Sequence, residues 1–248
     1  AAVICAGETG VVAATEEYNG TSWSNGNDVN TPKGHIGGSG TLTAGLKCGG
    51  APTSAATEEY DGTNWTSVNN MNTARRADSL FGLQTASIVA GGYTTTQVAS
   101  TEEYNGTTWA EIADIAAASY YGSGVGSTTA GLYCQGLPAN TRTEEWNVST
   151  STVTGAAWAS GGNTNDRTGG RLNFGTQTAA LSGGGLYVPN PGYTNEATTE
   201  EYNGSSWSEG GNMPGDKARG AGFGVLTAGV VCGGTVGNPS VNTSFEYD

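Results

Sequence analysis

The chain has 248 residues, of which 35% are hydrophobic, 12% are charged and 42 are glycine, and its formal net charge is −13. This length fits one all-β domain or two ordinary domains. Regular aromatic residues and few charges exclude an acidic disordered protein. The negative charge disfavours nucleic-acid phosphate as a partner, and no apolar run approaches the ~18–20 residues that a membrane-spanning helix needs.

The first predicted element is a buried strand in the segment AAVICAG, at residues 1–7. This segment has neither an initiator Met nor a basic region, so we expect no signal peptide and a natural amino terminus outside the chain. A similar small, apolar segment recurs five times: TAGLKCGG at 43–50, TASIVAGG at 85–92, TAGLYCQG at 129–136, TAALSGGG at 178–185 and TAGVVCGG at 227–234.

A second marker follows each of these segments, in the form TEEY or a variant of it. Its aromatic residues, with spacings of 42, 44, 42, 56 and 45 residues, are Tyr18, Tyr60, Tyr104, Trp146, Tyr202 and Tyr247. Two linked signals at a fixed period indicate an internal repeat.

Each repeat reads as four short strands. A small apolar strand closed by Gly-Gly is typical of burial on both faces. The TEEY strand follows, then an Asn-Gly or Asp-Gly hairpin turn, then a strand that carries Trp. A polar loop and a Gly-rich strand lead into the next repeat, and no segment shows a helical period. Four-stranded units at this period predict an all-β fold, a single β-propeller of antiparallel sheets.

The number of blades depends on incomplete units at both ends. The first repeat lacks the Gly-rich strand, the sixth lacks the Trp strand, and Trp158 of the fourth repeat follows an apparent insertion. We predict six blades with incomplete terminal blades, and five or seven remain open if the chain is a fragment. The predicted single domain spans 1–248, with repeats at 1–30, 31–72, 73–115, 116–165, 166–214 and 215–248.

The motifs resemble the kelch repeat. The matching features are Gly-Gly after a buried strand, Tyr-Asp/Asn-Gly, Trp five residues beyond Tyr, and MNTAR at 71–75. The near-identical sequences of the copies are similar to those of kelch-like repeats encoded by bacteriophages, especially marine ones. This resemblance implies a β-propeller in a phage structural or fibre protein.

Two adjacent glutamates recur in five repeats, and the first of each pair is Glu16, Glu58, Glu102, Glu144 or Glu200. Alternation along a strand places the two carboxylates on opposite faces. A buried carboxylate needs a cation or hydrogen-bond donors, and the candidate cations are Lys33, Arg75, Arg76, Arg167, Lys217 and Arg219. We predict a structural role for the first glutamate, and the second needs backbone N–H groups, solvent or a metal ion. Catalysis by paired carboxylates, as in glycoside hydrolysis, fits poorly because the pair recurs.

The other reactive residues predict no catalytic site, metal site or cofactor. One strand position is shared by four cysteines: Cys5, Cys48, Cys134 and Cys232. Equivalent positions in different repeats are too far apart for disulfides, and the spacing is not that of zinc ligands. We therefore predict that they are small buried thiols. His35 is the only histidine, which argues against a copper oxidase of the kelch-like type and makes a catalytic triad a weak signal.

The connections between the second and third strands vary most among the repeats. Loops on a rigid scaffold usually carry binding residues. The longest connection is 185–197, and the predicted contact residues on this face are Tyr187, Pro189, Tyr193, Tyr93 and Leu137. Exposed aromatic residues beside proline suit a sugar ring or a protein surface. The alternative is that the long loop packs over its own blade.

These features predict a non-enzymatic structural or attachment module that displays variable loops. We expect a phage virion protein, in a fibre or as a capsid decoration, located in the virion or at an extracellular surface as part of a larger assembly. Its expected partners are a host cell-surface glycan or protein, or other virion subunits, with no nucleic acid and no membrane insertion. The alternatives are a propeller enzyme acting on carbohydrate, of glycosidase or oxidase type, and an intracellular kelch-like adaptor.

Overall fold

The structure is a computed structural model, and the residues it describes form strands, turns and loops without a helix. These residues are 2–6, 11–134, 136–138, 141–148, 157–187, 194–236 and 240–248. Among them, no helix has the length and hydropathy needed to cross a membrane. The chain divides into two compact units, Ala1–Tyr120 and Tyr121–Asp248.

The first unit contains three antiparallel sheets. Their strands are β1 (Ala2–Cys5), β2 (Thr15–Tyr18) and β3 (Trp23–Asn25); β4 (Gly37–Thr41), β5 (Ala44–Cys48), β6 (Thr57–Tyr60) and β7 (Trp65–Val68); and β8 (Ser79–Leu83), β9 (Ala86–Ala90), β10 (Thr101–Tyr104) and β11 (Trp109–Ile112). In each of these three sheets the spatial order of the strands follows the chain, because each strand pairs with the next through a tight turn or a short connection.

The second unit contains three larger sheets and one small one. Two are four-stranded: β12 (Ser123–Gly126), β13 (Ala130–Cys134), β14 (Thr143–Asn147) and β15 (Ala157–Ser160); and β17 (Leu172–Thr176), β18 (Ala179–Gly183), β21 (Thr199–Tyr202) and β22 (Trp207–Glu209). The last is three-stranded, with β23 (Ala221–Val225), β24 (Ala228–Cys232) and β25 (Ser244–Tyr247). The small sheet consists of β16 (Thr168–Gly169), β19 (Leu186–Tyr187) and β20 (Thr194–Asn195).

Five of the larger sheets begin with a Gly-rich strand. The hairpin that joins this strand to the second one requires a glycine near the end of the first strand. Gly82 has φ of 120°, and a Cβ at this position would lie 2.4 Å from the carbonyl oxygen of Ala86. Only glycine adopts this backbone without strain. The equivalent glycines, Gly40, Gly126, Gly175 and Gly224, have φ between 103° and 119°. The Gly-rich composition of these strands is therefore a requirement of the hairpin.

The core lies between successive sheets. In the first unit, Leu46 and Met71 from the second repeat pack with Val89, Tyr104 and Trp109 from the third, and all are buried. Another cluster unites Phe174 and Leu181 with Val231 in the second unit. Successive sheets within a unit are thus packed against one another through buried side chains. The single-domain organisation and the repeat boundaries given above remain predictions.

Candidate functional site

The first glutamate of the repeated pair connects one sheet to the next. Glu58, on β6, is fully buried, with 0% of its surface exposed. One of its oxygens accepts a hydrogen bond from the N–H of Asn30 at 2.8 Å, and the other accepts one from the N–H of Thr31 at 2.7 Å. Both donors lie on the connection from β3 to β4. A carboxylate of the second sheet therefore holds the chain that leaves the first.

The same arrangement recurs in the next sheet and again in the second unit. Glu102 accepts hydrogen bonds from the N–H groups of Asn72–Thr73, at 2.7 and 3.1 Å. Glu200 accepts them from Asn165–Asp166, at 2.6 and 3.1 Å. We call Glu58, Glu102 and Glu200 the inter-sheet carboxylates. Hydrogen bonds to an ionised acceptor are shorter and stronger than neutral ones.

Each inter-sheet carboxylate also has a buried cation as its neighbour. The pairs are Lys47 with Glu58 at 3.0 Å, Arg75 with Glu102 at 2.6 Å and Arg171 with Glu200 at 2.7 Å, with all six side chains at most 1% exposed. Burial of a charge is costly without such a partner.

Two of these three cations were not among those predicted from the sequence. Lys47 lies on β5 directly across from Glu58 in the strand register, and Arg171 immediately precedes β17. The prediction placed the cations at the start of the Gly-rich strands, which leaves out Lys47, and in the fifth repeat it named Arg167 and not Arg171. The cross-strand register of the TAGLKC and TEEY segments was the signal that could have identified Lys47.

The ionised form of Glu58 is favoured by its surroundings. Burial raises the pKa of its carboxyl, but the N–H of Asn30 and the ammonium of Lys47 outweigh this effect, so the pKa lies below its usual value. The ammonium also donates to the carbonyl oxygen of Thr31 at 3.0 Å. Both charges of the pair thus hold the same connection.

The second glutamate of four of the five pairs accepts a hydrogen bond from the tyrosine of the following repeat; Glu103 is the exception, because the following repeat has Trp146 at that position. The tyrosine hydroxyl of Tyr104 donates to Glu59 at 2.9 Å, and that of Tyr202 donates to Glu145 at 2.5 Å. Tyr60 makes the same contact with Glu17, and burial together with this carboxylate raises the pKa of Tyr60 to about 12. The two adjacent carboxylates therefore face opposite sheets.

The tryptophan and threonine of the motif complete the contact between sheets. The indole Nε1 of Trp65 donates to Oγ1 of Thr15 at 2.9 Å, and that of Trp109 donates to Oγ1 of Thr57 at 3.1 Å. Each of these threonines begins the TEEY strand of the preceding repeat. In the first unit, every position of the T-E-E-Y…W pattern thus contacts a neighbouring sheet, whereas Nε1 of Trp207 in the second unit has no hydrogen-bond partner among the described residues.

The sixth repeat replaces the carboxylate with a phenylalanine. Phe245 stands at the position of the first glutamate, and Pro214, which lacks an N–H, stands at the position of the donor asparagine. The ammonium of Lys217 lies 4.8 Å from the centre of the Phe245 ring and donates to the carbonyl oxygens of Gly233 and Thr243 at 2.9 and 2.7 Å. Burial lowers the pKa of Lys217. An apolar and cation–π contact thus takes the place of the charged one.

A second recurring feature lies two residues before the first strand of five sheets. The backbone there is left-handed, with φ between 51° and 65°, and we call these positions the approach residues: His35, Ala77, Tyr121, Gly170 and Arg219. The conformation costs a residue other than glycine of order 1–2 kcal/mol. It allows backbone hydrogen bonds between neighbouring sheets, from Ala77 to His35 at 2.9 Å and from Arg219 to Gly170 at 2.8 Å.

In the first unit, the approach residue Ala77 adjoins a cluster of a cation and two tyrosines. Arg76 and Tyr93 exchange backbone hydrogen bonds of 3.0 and 2.8 Å, so the connection from β9 to β10 is fixed against the start of its own sheet. The Arg76 guanidinium lies 4.9 Å from the centre of the Tyr93 ring, and the Tyr120 ring meets Tyr93 edge-on at 5.3 Å. All three side chains are partly exposed.

In the second unit, the corresponding end of the sheets also carries aromatic and apolar residues. The guanidinium of Arg219 lies 5.2 Å from the centre of the Tyr121 ring. Tyr187, on β19, is 44% exposed. Leu137 is half-buried and packs on Gly169, where a Cβ would stand 3.0 Å from the leucine Cδ2.

The remaining predicted residues fall outside these contacts. Pro189 and Tyr193 lie outside the described residues. Glu16 is exposed, whereas Glu144 is buried and lies 2.6 Å from Arg142. The approach residues were missed by the sequence analysis, since a left-handed backbone at non-glycine residues leaves no compositional signal.

Neither a disulfide nor a metal-binding cluster involves the cysteines and the single histidine in the part of the chain that the structure describes. The four cysteines are free, and burial raises the pKa of Cys134 to about 12, so this thiol is not activated. His35 is half-buried at an approach position. Among the described residues, no group of three or more His, Cys, Asp or Glu side chains is arranged to hold a metal ion.

Asp78 is a buried carboxylate that lies beside an approach residue. Its Oδ1 has no hydrogen-bond partner among the described residues, and its Oδ2 lies 3.9 Å from the Sγ of Cys48. Burial raises its pKa to about 7, although Arg75 acts in the opposite direction. In the fold, the protonated form of this group therefore predominates only below about pH 7.

The role of the inter-sheet carboxylates is tested by Glu58→Gln. We expect a loss of about 3–5 kcal/mol in the free energy of unfolding at pH 7, because Lys47 remains buried without its counter-charge. The pKa of Glu58 is lowered in the fold, so its contribution is present at neutral pH and is lost as the pH falls through the folded pKa. The matched control is Glu16→Gln at the exposed copy, with a change below about 0.5 kcal/mol. Equal urea midpoints for the two variants at pH 7 would contradict this role.

Asp78→Asn tests the opposite sign of pH dependence. Because the folded pKa of Asp78 lies above that of an unfolded chain, its burial penalty is small in acid, grows as the pH rises towards 7 and is complete above it. We expect the variant to gain about 1–3 kcal/mol at pH 8 and little at pH 4. Thermal unfolding at both pH values measures the difference, with Asp28→Asn at an exposed site as control. A loss of stability at pH 8 would show that the charged form is stabilising.

Comparisons with known proteins support the fold. No family model and no curated protein matches the sequence. Among solved structures, the chain is similar to YjhT, with a TM-score of 0.80 and 11% sequence identity over 98% of this chain and 90% of that one. At this identity the similarity concerns the fold alone. Together with the repeated antiparallel sheets, it confirms the predicted all-β, propeller-type fold class.

Proposed function

We propose that the protein is a non-enzymatic binding module, and that the contact surface of each unit is the end of its sheets that carries the approach residues and the connections from second to third strands. One observation carries this proposal. Five equivalent backbone positions have the same left-handed conformation but hold five different residues. Local strain of this kind clusters at binding sites. A constant backbone that presents different side chains is typical of a recognition surface.

The side chains at this end suit a sugar ring or a protein surface. Tyr93 presents an aromatic ring between Arg76 and Tyr120, and Tyr187 is exposed in the other unit. Tyrosine offers a rigid apolar face with a polar tip, which serves both kinds of partner. The net charge of −13 disfavours a polyanionic partner such as nucleic acid.

The repeated carboxylates support a role without catalysis. The inter-sheet carboxylates are occupied by backbone N–H groups and cations, and four of the five second glutamates accept hydrogen bonds from tyrosines. Groups held in this way contribute to stability and are not placed for proton transfer to a substrate. The proposal therefore assigns these acids to the scaffold and recognition to the loops.

The setting that we propose is a virion or another extracellular surface. The near-identical repeats resemble those of phage-encoded kelch-like proteins, and this resemblance supports a fibre or capsid-decoration protein in a larger assembly. Its partner would be a host cell-surface glycan or protein, or a neighbouring subunit.

Binding to intact bacterial cells and to an array of neutral oligosaccharides tests the proposal. We expect Tyr93→Ala to weaken binding at least about tenfold, since aromatic residues at the centre of a contact carry much of its energy. Leu83→Ser is the control, because this residue is 57% exposed at the hairpin end of its sheet. Both variants should retain the unfolding temperature of the parent protein.

Two results would contradict the proposal. Hydrolysis or oxidation of an oligosaccharide would show an enzyme. Equal weakening by Tyr93→Ala and Leu83→Ser would show that the contact surface lies elsewhere. Sedimentation of the same preparation gives its assembly state, and a monomer that binds neither cells nor glycans would contradict the attachment role.

A further inference from the structure

Three hairpin turns carry the sequence Asn-Gly. They join the TEEY strand of a sheet to its tryptophan strand, at Asn19–Gly20, Asn105–Gly106 and Asn203–Gly204. In the second repeat the same turn is Asp61–Gly62. A backbone nitrogen can attack the side-chain amide of a preceding asparagine, and glycine permits this attack best because it has no Cβ to obstruct the approach. We therefore asked whether these turns are arranged for this reaction.

Each turn holds the asparagine side chain in one orientation. The Oδ1 of Asn105 accepts hydrogen bonds from the backbone N–H groups of Thr107 at 3.0 Å and Thr108 at 2.9 Å. The Nδ2 of Asn105 donates to Oγ1 of Thr108 at 3.2 Å. Two N–H groups at the amide oxygen polarise the carbonyl group, and they stabilise the negative charge that develops on this oxygen when a nucleophile adds to Cγ.

The other two turns repeat this arrangement. The Oδ1 of Asn19 accepts hydrogen bonds of 2.9 and 3.0 Å from the backbone N–H groups two and three residues further along the chain. The Oδ1 of Asn203 accepts two hydrogen bonds of 3.0 Å from the equivalent groups. Asn19, Asn105 and Asn203 are all exposed, so water and hydroxide reach their side chains.

The backbone nitrogen that follows each asparagine is available as the nucleophile. Within the described residues, the N–H groups of Gly20, Gly106 and Gly204 donate no hydrogen bond. A free N–H can lose its proton to hydroxide without first leaving a hydrogen bond. These glycines have φ of 103°, 88° and 93°, which is the left-handed backbone that other residues adopt only with strain.

A fourth Asn-Gly sequence, Asn25–Gly26, lacks this arrangement. Asn25 ends β3 and stands opposite Glu16 in the strand register. The N–H of Gly26 donates to the carbonyl oxygen of Thr15 at 2.9 Å. Asn25 is exposed as well, so its access to water is not what distinguishes it from the turn residues. The hydrogen-bonded nitrogen of Gly26 makes Asn25 an internal control.

Asp61 shows that the turn accommodates an aspartate. Its Oδ1 accepts hydrogen bonds from the N–H groups of Asn64 at 2.7 Å and Thr63 at 2.8 Å, which are the equivalents of the two donors in the asparagine turns. These N–H groups, that of Asn64 first, hold the pKa of the Asp61 carboxyl below its ordinary value. A carboxylate thus keeps the hydrogen bonds of the turn at neutral pH, and an ionised acceptor strengthens them.

We propose that Asn19, Asn105 and Asn203 are sites of spontaneous deamidation, and that the turn at Asp61 has the form of their aspartate product. The deprotonated glycine nitrogen bonds to Cγ of the asparagine, the Cγ–Nδ2 bond breaks, and the nitrogen leaves as ammonia with a proton from water. Water then opens the cyclic imide. Cleavage of its bond to Cγ gives aspartate, and cleavage of its bond to the backbone carbonyl carbon gives isoaspartate.

The two products differ in their effect on the turn. Aspartate preserves the length of the main chain, whereas isoaspartate adds a carbon atom to it and displaces the N–H groups that the side chain accepts. Each conversion adds one negative charge to a chain whose net charge is already −13. The proposal does not depend on the loop surface described above, because the turns lie at the opposite ends of the strands. Either proposal can therefore fail without the other.

Incubation of the folded protein in water enriched in heavy oxygen tests the proposal. Deamidation takes an oxygen atom from water, so digestion in ordinary water and mass spectrometry then identify the residues that reacted during the incubation. We expect label at Asn19, Asn105 and Asn203. Label at Asn25 should appear at least about fivefold more slowly, because the nitrogen of Gly26 must first leave its hydrogen bond. In urea the four sites should react at similar rates, since all are then followed by an unrestrained glycine.

Labelling of the three turn residues no faster than that of Asn25 in the folded protein would overturn the proposal. The fit of the product is tested by Asn105→Asp, which should unfold at the same urea concentration as the parent protein. Asn25→Asp places a second carboxylate opposite Glu16 and should unfold at a lower one. A lower midpoint for Asn105→Asp would show that the turn does not accommodate the aspartate form.

Discussion

The structure depends on a buried carboxylate that accepts hydrogen bonds from the backbone of the preceding repeat. Glu58 binds the N–H groups of Asn30 and Thr31 and lies beside Lys47. The two donor residues lie outside any strand, on the connection from β3 to β4. The same contact recurs at Glu102 and Glu200. In this weakly hydrophobic chain, these buried charged pairs therefore lie where the sheets meet. Large apolar side chains then need only fill the space between them.

These contacts between sheets explain which residues of the repeat are constant and which vary. The T-E-E-Y…W pattern is repeated because each of its side chains contacts a neighbouring sheet, and a single change would leave a buried partner unsatisfied. The sixth repeat shows what a compatible change requires. Pro214 removes the donor N–H, Phe245 removes the acceptor, and Lys217 finds carbonyl oxygens and an aromatic ring instead. The connections from second to third strands are free of this constraint and differ from repeat to repeat.

Much of the fold could be predicted from the sequence, because the strands, turns and period are written in local patterns. The opposite faces of the two glutamates follow from strand alternation alone. The partner of Glu58 could not be predicted in this way, since Lys47 is close to Glu58 only through the register of two strands. The left-handed approach residues were also missed, because His35 and Arg219 adopt this backbone for hydrogen bonds to other repeats. Contacts between repeats decide both features, and no local pattern encodes them. The loop residues proposed for binding stay predictions, since a surface does not identify its partner.

Hydrogen exchange at the connections that the inter-sheet carboxylates hold tests the central claim most directly. The amides to follow are those of Asn30–Thr31, Asn72–Thr73 and Asn165–Asp166, which lie outside any strand. An amide without a hydrogen bond on an exposed loop exchanges at nearly the rate of an unfolded chain. We predict that these amides are protected to the same degree as those of the neighbouring strands, because each donates to a buried carboxylate. Exchange at the unprotected rate would show that the carboxylates do not hold the sheets together.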